Sequence, residues 1–534
     1  MTNLVTDIGE TAAASPDATA IGYRGREITY EEFWSQAGRF AQALADAGVE
    51  PGDRVGIYLP NLPQYVVAFH GILRAGGIVV PMNPQYKSRE IEHLLGDSGA
   101  VAVVALADLV PQVREVQDDT DVHTVVSVGD AEGATEFDDF LADGELDVVD
   151  RDDDDVACQP YTSGTTGTPK GVLLTHGNLA FEARASPKIH DGMNREDKVL
   201  GVLPLFHIYG MTVTMLATLY EGGSFWPLPE WDATEALELI ESEGMTIVHG
   251  VPAMFNDVVN QPDADEYSLE TVRFANAGGS SLPLEVMRRF EELYEPKLLE
   301  GYGLTETAPV THANRPDDRR AGSIGKPLPG VESKVVDHNF EEVEPVPEGP
   351  VDDETELDEV VGEIVIHGPN VMKEYYERPE ANEESFTYED REAQGASDGS
   401  SEERSDSRDG KRWFHSGDLG YYDEDGFFYI VDREKHMIVS GGYNIYPREV
   451  EELLFEHPDV ADAAVVGVPD ERRGETVTAF VVTQPDVDVT EEEIKQYCLD
   501  NLAAYKHPRT VNFVDELPRT TTGKVQKFEL EDFE

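Results

Sequence analysis

The order of apolar and polar residues alternates between a helical and a strand-like period through about the first 430 positions. Thr29-Tyr30-Glu31-Glu32 is a capping box, in which a hydroxyl and a carboxylate satisfy free backbone N–H groups at the start of a helix. The apolar residues of this helix follow at helical spacing before a stop at Gly48; they are Phe33, Ala37, Phe40, Ala41 and Leu44.

Strand-like and helical runs then follow one another. DRVGIYLP (53–60) and IVVPMN (78–83) are apolar runs typical of buried strands, and the helical run QYVVAFHGILRAG (64–76) separates them. The same rhythm returns around TIVHGVP (246–252) and VRFANAGG (272–279). This strand–helix–strand order predicts an α/β fold with parallel-rich sheets flanked by helices.

The pattern changes at Asp432. A short amphipathic helix is predicted from Pro447, and two strands and a further capped helix follow it. These elements predict a small α+β C-terminal domain, residues 432–534, joined by a hinge near Asp432–Lys435 to a large N-terminal domain, residues 1–431.

Two segments rich in Asp, Glu, Ser, Gly and Pro interrupt the large domain, at residues 341–359 and 384–411. Neither segment contains enough apolar residues to order itself strongly. We expect both to be surface loops that take no part in chemistry.

The chain is strongly acidic, because its 41 basic and 107 acidic residues give a net charge of −66 over 534 residues. Such a surface repels nucleic acid and anionic membranes, so we expect neither as a partner. No run of about 18 apolar residues predicts a membrane span, and no secretory signal is visible at the N-terminus. The chain has only two cysteines, Cys158 and Cys498, far apart in the sequence, which is typical of a protein of the reducing cytoplasm. Together with the acidic charge, this predicts a cytoplasmic protein of cells with a very high internal salt concentration.

A loop rich in glycine and hydroxyl side chains, YTSGTTGTPKG (161–171), is the first candidate for chemistry. It is not a Walker A loop, since Lys170 follows Pro169 and Gly171 takes the hydroxyl position. Its free backbone N–H groups, hydroxyls and one ammonium still favour phosphate binding.

Four more motifs follow in order: EGYGLTE (300–306), FHSGDLG (414–420), DREKHMIVSGGYNIYPREVE (432–451) and PRTTTGKVQK (518–527). Together with the loop at 161–171 they resemble the adenylate-forming superfamily across nearly the whole chain. This family includes acyl-CoA synthetases, aryl-CoA ligases and peptide-synthetase adenylation domains. The resemblance implies a reaction in two steps with ATP, CoA and Mg²⁺: a carboxylate attacks the α-phosphorus of ATP, and a thiol then displaces AMP from the acyl-adenylate.

The resemblance assigns the phosphate loop to the β- and γ-phosphates of ATP, through Thr162, Ser163, Gly164, Thr165, Thr166, Gly167 and Lys170. Thr305 and Glu306 match the threonine and the acid of the family's adenylate motif. The hydroxyl is expected to reach the α-phosphate, and the carboxylate suits Mg²⁺, which prefers oxygen ligands.

The nucleoside half of ATP is assigned to two further groups of residues. Asp418 matches the acid that accepts hydrogen bonds from the ribose hydroxyls of ATP. Arg433 matches the arginine that lies beside the ribose and the phosphates. The wall for adenine is expected from two glycine-rich turns, made of Gly278, Gly279, Ser280, Gly301, Tyr302 and Gly303.

Lys524 matches the catalytic lysine that bridges the attacking carboxylate and the α-phosphate. Lys435 falls at the family's hinge, where the small domain rotates between the two steps. Gly441 and Gly442 are expected to face the thiol's tunnel after this rotation. Phe206, His207 and Tyr209 resemble the aromatic gate between the ATP and acyl pockets.

The leading hypothesis is an acyl-CoA synthetase for a medium- or long-chain fatty acid, acting as a monomer or homodimer. An aryl-CoA ligase is the alternative within the family, and an enzyme that loads a carrier protein is a third. A catalytically silent nucleotide-binding protein is the hypothesis from another class.

The charge analysis predicts a stability that depends on salt. In 1 M KCl the Debye length is about 3 Å, so repulsion among surface carboxylates is largely screened. We expect the midpoint of thermal unfolding to rise between dilute buffer and molar KCl. A midpoint that stays level or falls over this range would exclude adaptation to a high-salt cytosol.

Overall fold

The computed structural model describes residues 4–162, 169–190, 192–351, 360–389, 410–440, 443–470, 472–484, 487, 489–520 and 524–531. The α-helices are, in chain order, α1 (Leu4–Ala14), α2 (Tyr30–Asp46), α3 (Pro63–Arg74), α4 (Ser88–Ser98), α5 (Val110–Val116), α6 (Phe137–Phe140), α7 (His176–Ala185), α8 (Ala217–Glu221), α9 (Ala233–Glu243), α10 (Pro252–Val259), α11 (Leu284–Leu293), α12 (Pro379–Glu384), α13 (Pro447–Phe455), α14 (Glu491–Asn501) and α15 (Lys527–Glu531).

The strands are, in chain order, β1 (Thr19–Tyr23), β2 (Arg26–Thr29), β3 (Arg54–Tyr58), β4 (Ile78–Pro81), β5 (Ala102–Leu106), β6 (Thr124–Val128), β7 (Thr135–Glu136), β8 (Val156–Cys158), β9 (Tyr161–Thr162), β10 (Lys170–Thr175), β11 (Lys198–Gly201), β12 (Ser224–Pro227), β13 (Ile247–Gly250), β14 (Phe274–Ala277), β15 (Leu298–Gly303), β16 (Val310–Ala313), β17 (Lys326–Pro327), β18 (Glu332–Val336), β19 (Gly362–His367), β20 (Glu374–Tyr375), β21 (Phe386–Glu389), β22 (Lys411–Tyr422), β23 (Phe428–Arg433), β24 (Ile438–Ser440), β25 (Tyr443–Ile445), β26 (Val460–Asp470), β27 (Gly474–Thr483) and β28 (Thr510–Phe513).

Two large mixed sheets form the centre of the molecule. The first has the order β20-β10-β8-β4-β3-β5-β6-β7, with β9 on β10, and its strands from β8 to β7 are parallel neighbours. The second has the order β17-β16-β15-β14-β13-β11-β12-β1-β2 and is parallel from β15 to β1. One apolar core is shared by both sheets, since it includes Ile57 of β3 and Phe225 of β12. The predicted parallel-rich α/β architecture is confirmed.

A third sheet, with the order β18-β19-β22-β21 and with β23 on β22, is antiparallel throughout. The sequence pattern did not predict this antiparallel sheet. The prediction of a loop at 384–411 is also wrong for residues 386–389, because β21 pairs with β22. Residues 352–359 and 390–409, which make up much of the two acidic segments, lie outside the described part of the chain.

The C-terminal residues form a fourth sheet, β25-β24-β27-β26, with β28 parallel to β27. It has its own core, in which Val450 of α13 and Ile494 of α14 pack against one face. Leu530 of α15 packs into a second cluster with Phe480 of β27. The separate small α+β unit is therefore confirmed, whereas its exact boundary at residue 432 stays a prediction.

The local start and stop signals of α2 are confirmed. The hydroxyl of Thr29 accepts a hydrogen bond from the Glu32 N–H at 3.2 Å, and the Glu32 carboxylate accepts from the Thr29 N–H at 3.2 Å. Gly48 follows the helix with a φ of 92°, a conformation that glycine adopts without strain.

Cys158 and Cys498 are buried free thiols, as expected for packing residues. No helix of the described ranges has the length and apolar character needed to cross a bilayer.

Gly303 gives a stability prediction. A Cβ at this end of β15 would lie 2.0 Å from the Pro309 carbonyl oxygen, in the turn that leads to β16. We expect Gly303→Ala to lower the free energy of unfolding by roughly 1–3 kcal/mol, because backbone atoms must shift. Equilibrium unfolding in denaturant measures this change.

Gly96→Ala is the matched control. Gly96 is an exposed residue of α4 with no heavy atom within 4 Å of a built Cβ. Alanine has the higher helix propensity, by about 1 kcal/mol, so this variant should be as stable as the parent or more so. Equal stability of the two variants would contradict the proposed close contact at Gly303.

Candidate functional site

The ends of the predicted phosphate loop are held together by two short antiparallel strands. Thr162 of β9 lies opposite Lys170 of β10 in this ladder. Ser163, Gly164, Thr165, Thr166 and Gly167 lie outside the described residues. The structure therefore places both ends of the predicted loop beside each other.

Tyr375 connects this loop to the adenylate motif. In β20 it pairs with Val172 of β10, and its ring lies 5.1 Å from the ammonium of Lys170. Its hydroxyl donates to Oε1 of Glu306 at 2.8 Å. Burial and then the charge of Glu306 raise the pKa of the Tyr375 phenol, so Tyr375 remains a neutral donor.

Thr305 and Glu306 lie in a single helical turn, Thr305–Thr307, that follows β15 directly. The carbonyl of Glu306 accepts from the Met372 N–H at 2.7 Å, which ties this turn to the segment that leads into β20. The motif therefore has a fixed backbone, and its carboxylate contacts Tyr375, whose ring lies beside Lys170.

Asp418 and Arg433 are cross-strand partners in β22 and β23. Arg433 Nε lies 2.8 Å from Asp418 Oδ1, and the Tyr302 hydroxyl donates to Asp418 Oδ2 at 2.5 Å. The Asp418 side chain is only 3% exposed, and its charge raises the pKa of the Arg433 guanidinium above its usual range. A carboxylate accepts up to about four hydrogen bonds, so Asp418 retains capacity for two hydroxyls.

The two glycine-rich turns end neighbouring parallel strands. Gly278 and Gly279 follow β14, and Gly301, Tyr302 and Gly303 end β15. A Cβ at Gly278 would lie 3.0 Å from the Tyr209 ring, so a side chain here would require the ring to move by a few tenths of an ångström. Ser280, next in the chain, is exposed.

Tyr209 begins a π-helical segment, Tyr209–Leu216, and its hydroxyl is held by buried polar partners. Asn276 Nδ2 donates to the Tyr209 hydroxyl at 2.8 Å, and His249 Nδ1 lies 3.2 Å from it. Burial lowers the pKa of His249 to about 3, so this imidazole is neutral. The ring of Tyr209 is therefore fixed in position beneath the predicted adenine wall.

His207 lies beside a largely apolar cavity. Its Nδ1 accepts from the Tyr209 N–H at 3.2 Å, which leaves the ring proton on Nε2. Burial, with the nearby charge of Lys524, lowers the pKa of His207 to about 3. The cavity is lined by Leu203, Pro204, His207, Tyr209, Val251, Met254, Gly279 and Lys524. Phe206 precedes His207 and is half-buried, but it does not line this cavity.

Lys524 reaches this site from the C-terminal unit. The residue keeps contact with solvent, but its ammonium is desolvated, which lowers the pKa of Lys524 to about 8. The charge of Arg433 lowers this pKa further, whereas Asp418 and Glu306 oppose the change. One ammonium is thus close to the nucleoside residues, the adenylate motif and the apolar cavity.

Lys435 is exposed near the end of β23, and its charge also acts on Lys524. Gly441 and Gly442, predicted to face the thiol, lie outside the described residues. The described residues thus bring together Thr305, Glu306, Asp418, Arg433, Tyr302 and Lys524, with His207 and Tyr209 at the adjoining cavity.

Sequence reasoning missed Tyr375, Asn276 and His249. Asn276 and His249 stand inside VRFANAGG and TIVHGVP, which gave only a strand signal. Tyr375 contacts Glu306 across 69 positions of sequence, which no local spacing reveals.

The candidate site offers one carboxylate, that of Glu306, as a ligand for Mg²⁺. Among the described residues no group of three or more His, Cys, Asp and Glu side chains could hold a metal by itself. Mg²⁺ is commonly bound by one or two carboxylates together with substrate phosphates, and Glu306 supplies such a carboxylate beside the phosphate loop.

Known proteins resemble this chain over nearly its whole length. A long-chain-fatty-acid–CoA ligase of Bacillus subtilis (strain 168) is 35% identical over 556 aligned positions, covering 97% of this chain and 92% of that protein. A feruloyl-CoA synthase of an Amycolatopsis species is 35% identical over 528 positions, covering 97% and 96%. ATP-bound MatB from Rhodopseudomonas palustris superposes with a TM-score of 0.85 at 30% identity, covering 99% of this chain and 98% of that one. The apo form of MatB superposes with a TM-score of 0.76.

Family models match both parts of the chain. The model for AMP-binding enzymes matches residues 8–376, and the model for the C-terminal domain of AMP-binding enzymes matches residues 449–524. With the nucleoside, phosphate and lysine groups converging at one site, the chain belongs to the AMP-binding, adenylate-forming enzyme family.

Proposed function

We propose that this chain is an ATP-dependent acyl-CoA synthetase that activates a medium- or long-chain fatty acid and transfers the acyl group to CoA. The observation that carries the proposal is the position of Lys524, whose ammonium adjoins both the Asp418–Arg433 pair and the apolar cavity beside His207. A group in this place can contact a carboxylate and a phosphate at once.

In the first step a carboxylate oxygen of the acid attacks the α-phosphorus of ATP, and the bond from this phosphorus to the bridging oxygen of pyrophosphate breaks. Asp418 holds the ribose hydroxyls, and Lys170 with Thr162 holds the departing phosphates. Lys524 neutralises charge on the carboxylate and on the α-phosphate as they approach. Mg²⁺, when bound through Glu306, supplies further neutralisation of phosphate charge.

In the second step the thiol of CoA attacks the acyl carbon, its proton is lost, and AMP leaves with the bonding electrons of the acyl–oxygen bond. Lys524 has no task in this step. We infer that the C-terminal unit rotates about Asp432–Lys435 between the steps, which withdraws Lys524 and brings the segment around Gly441 and Gly442 to the thiol.

The cavity is only about 10 Å³, the space of roughly one water molecule, so an acyl chain must displace its lining to enter. The apolar residues of this lining, Leu203, Val251 and Met254, favour an acyl chain as the group next to the carboxylate. An aryl-CoA ligase is the second and less supported candidate, since a feruloyl-CoA synthase relative is also 35% identical, over a shorter alignment than the fatty-acid ligase. Exchange of pyrophosphate into ATP, measured with a panel of fatty and aromatic acids in molar KCl, tests both. No exchange with any carboxylic acid would contradict the proposed function.

Lys524→Ala should separate the two half-reactions. We expect pyrophosphate exchange to fall by about 100-fold or more, because this variant removes charge stabilisation of the first transition state. Conversion of supplied acyl-AMP to acyl-CoA should stay within about 2-fold of the parent. Lys495→Ala, which removes a lysine paired with Glu491 on α14, is the matched control and should leave both rates unchanged. An equal loss in both half-reactions for Lys524→Ala would contradict the assignment.

The pH profile of the first step gives an independent test. Lys524 is charged below its pKa of about 8 and neutral above it, so kcat/KM for adenylation should fall as pH rises through this value. The guanidinium of Lys524→Arg does not titrate in this range, so the alkaline decline should disappear in that variant even if its rate is lower. A decline at the same pH in Lys524→Arg would assign it to another group.

A further inference from the structure

The chain contains a buried carboxylate that the proposed mechanism does not use. Glu300 precedes Gly301 in β15 and is only 3% exposed. Its Oε1 accepts from the Leu282 N–H at 3.2 Å, whereas its Oε2 has no hydrogen-bond partner within the described ranges. An ionised carboxylate in such a place is costly unless a positive charge is close.

That positive charge comes from the C-terminal unit. Arg448 lies in the first turn of α13, after the predicted hinge, and its side chain is 11% exposed. Burial raises the pKa of Glu300 to about 7, and the charge of Arg448 opposes this rise. The negative charge of Glu452, which pairs with Arg448 Nε at 2.9 Å, raises the pKa of Glu300 further.

Arg448 also bonds directly across the hinge. Its Nη1 donates to the carbonyl of Ile430 in β23 at 2.8 Å, and its backbone N–H donates to Asp432 Oδ2 at 3.1 Å. Ile430 belongs to the third sheet, before the hinge, whereas α13 packs on the fourth sheet. The guanidinium therefore fastens α13 to β23, the last strand before the predicted hinge.

We propose that Arg448 is a positioning residue that holds the C-terminal unit in the pose that delivers Lys524, with the buried Glu300 carboxylate as its counter-charge. The inference rests on the proposed two-step function. A rotation that carries α13 away from β23 breaks the bond from Arg448 to Ile430 and leaves Glu300 without its cation. The interactions of Arg448 with Ile430 and with the Glu300 charge thus favour the adenylation pose over the thioester-forming pose.

The test compares both half-reactions in Arg448→Met and Glu300→Gln. We expect Arg448→Met to slow pyrophosphate exchange by at least about 5-fold, the lower range of a coupling between two states. Conversion of supplied acyl-AMP to acyl-CoA should change less than about 2-fold. Glu300→Gln keeps the acceptor for the Leu282 N–H but removes the negative charge. It should therefore also slow pyrophosphate exchange and leave the conversion of acyl-AMP to acyl-CoA unchanged.

The double variant separates pose from folding. Above the Glu300 pKa of about 7, where the carboxylate is ionised in the parent, Arg448→Met alone removes its opposing charge and should lower the midpoint of thermal unfolding. Adding Glu300→Gln removes the carboxylate charge, so the midpoint should return toward that of the parent while exchange stays slow. Arg288→Met is the control, because Arg288 pairs with Glu285 on the exposed side of α11 and should affect neither step.

Two results would overturn the inference. One is exchange within about 2-fold of the parent in both Arg448→Met and Glu300→Gln. The other is an equal loss of both half-reactions in the stable Glu300→Gln variant. A parent enzyme without carboxylate-dependent exchange would instead contradict the proposed function, so the two failures are distinguishable.

Discussion

The site depends on one ammonium group held close to a guanidinium. Desolvation is the main cause of the lowered pKa of Lys524, and repulsion by the nearby charge of Arg433 adds to it. Asp418 and Glu306 oppose this lowering, because both carboxylates act on the same ammonium. Added negative charge stabilises an ammonium that desolvation and a like charge destabilise. A triphosphate and a carboxylate substrate supply such negative charge. The negative charges of the substrates thus relieve the repulsion that the site's own residues impose on this ammonium.

The fold supplies the surroundings of this ammonium through the carboxyl ends of parallel strands. Leu203, Val251 and Gly278 follow β11, β13 and β14, and Tyr302 lies at the end of β15. In a parallel sheet these ends lie at one edge, where ligands of α/β proteins commonly bind. The first sheet adds Lys170 and Tyr375, the antiparallel third sheet adds Asp418 and Arg433, and the segment after β28 adds Lys524. The site is thus assembled from the first three sheets and the C-terminal unit, and only the C-terminal unit lies after the proposed hinge.

The sequence predicted the parts of this arrangement that are local. The capping box at Thr29, the alternating strands and helices, and the five motifs each depend on residues within a few positions of one another. The contact of Tyr375 with Glu306 and the effect of the Arg448 charge on Glu300 depend on distant segments that meet in the fold, and a single sequence does not reveal them. The antiparallel third sheet was missed for a similar reason, since acidic segments interrupt its strands in the sequence.

The central claim is that Lys524 bridges the two reacting groups during adenylation. A crystal structure of the chain with ATP and an unreactive fatty-acid analogue tests this most directly. The account predicts Lys524 Nζ within about 3 Å of both an α-phosphate oxygen and the acid-mimicking group, at hydrogen-bond distance. With both ligands in place, a Lys524 side chain directed into solvent, and another cation between the two groups, would contradict it.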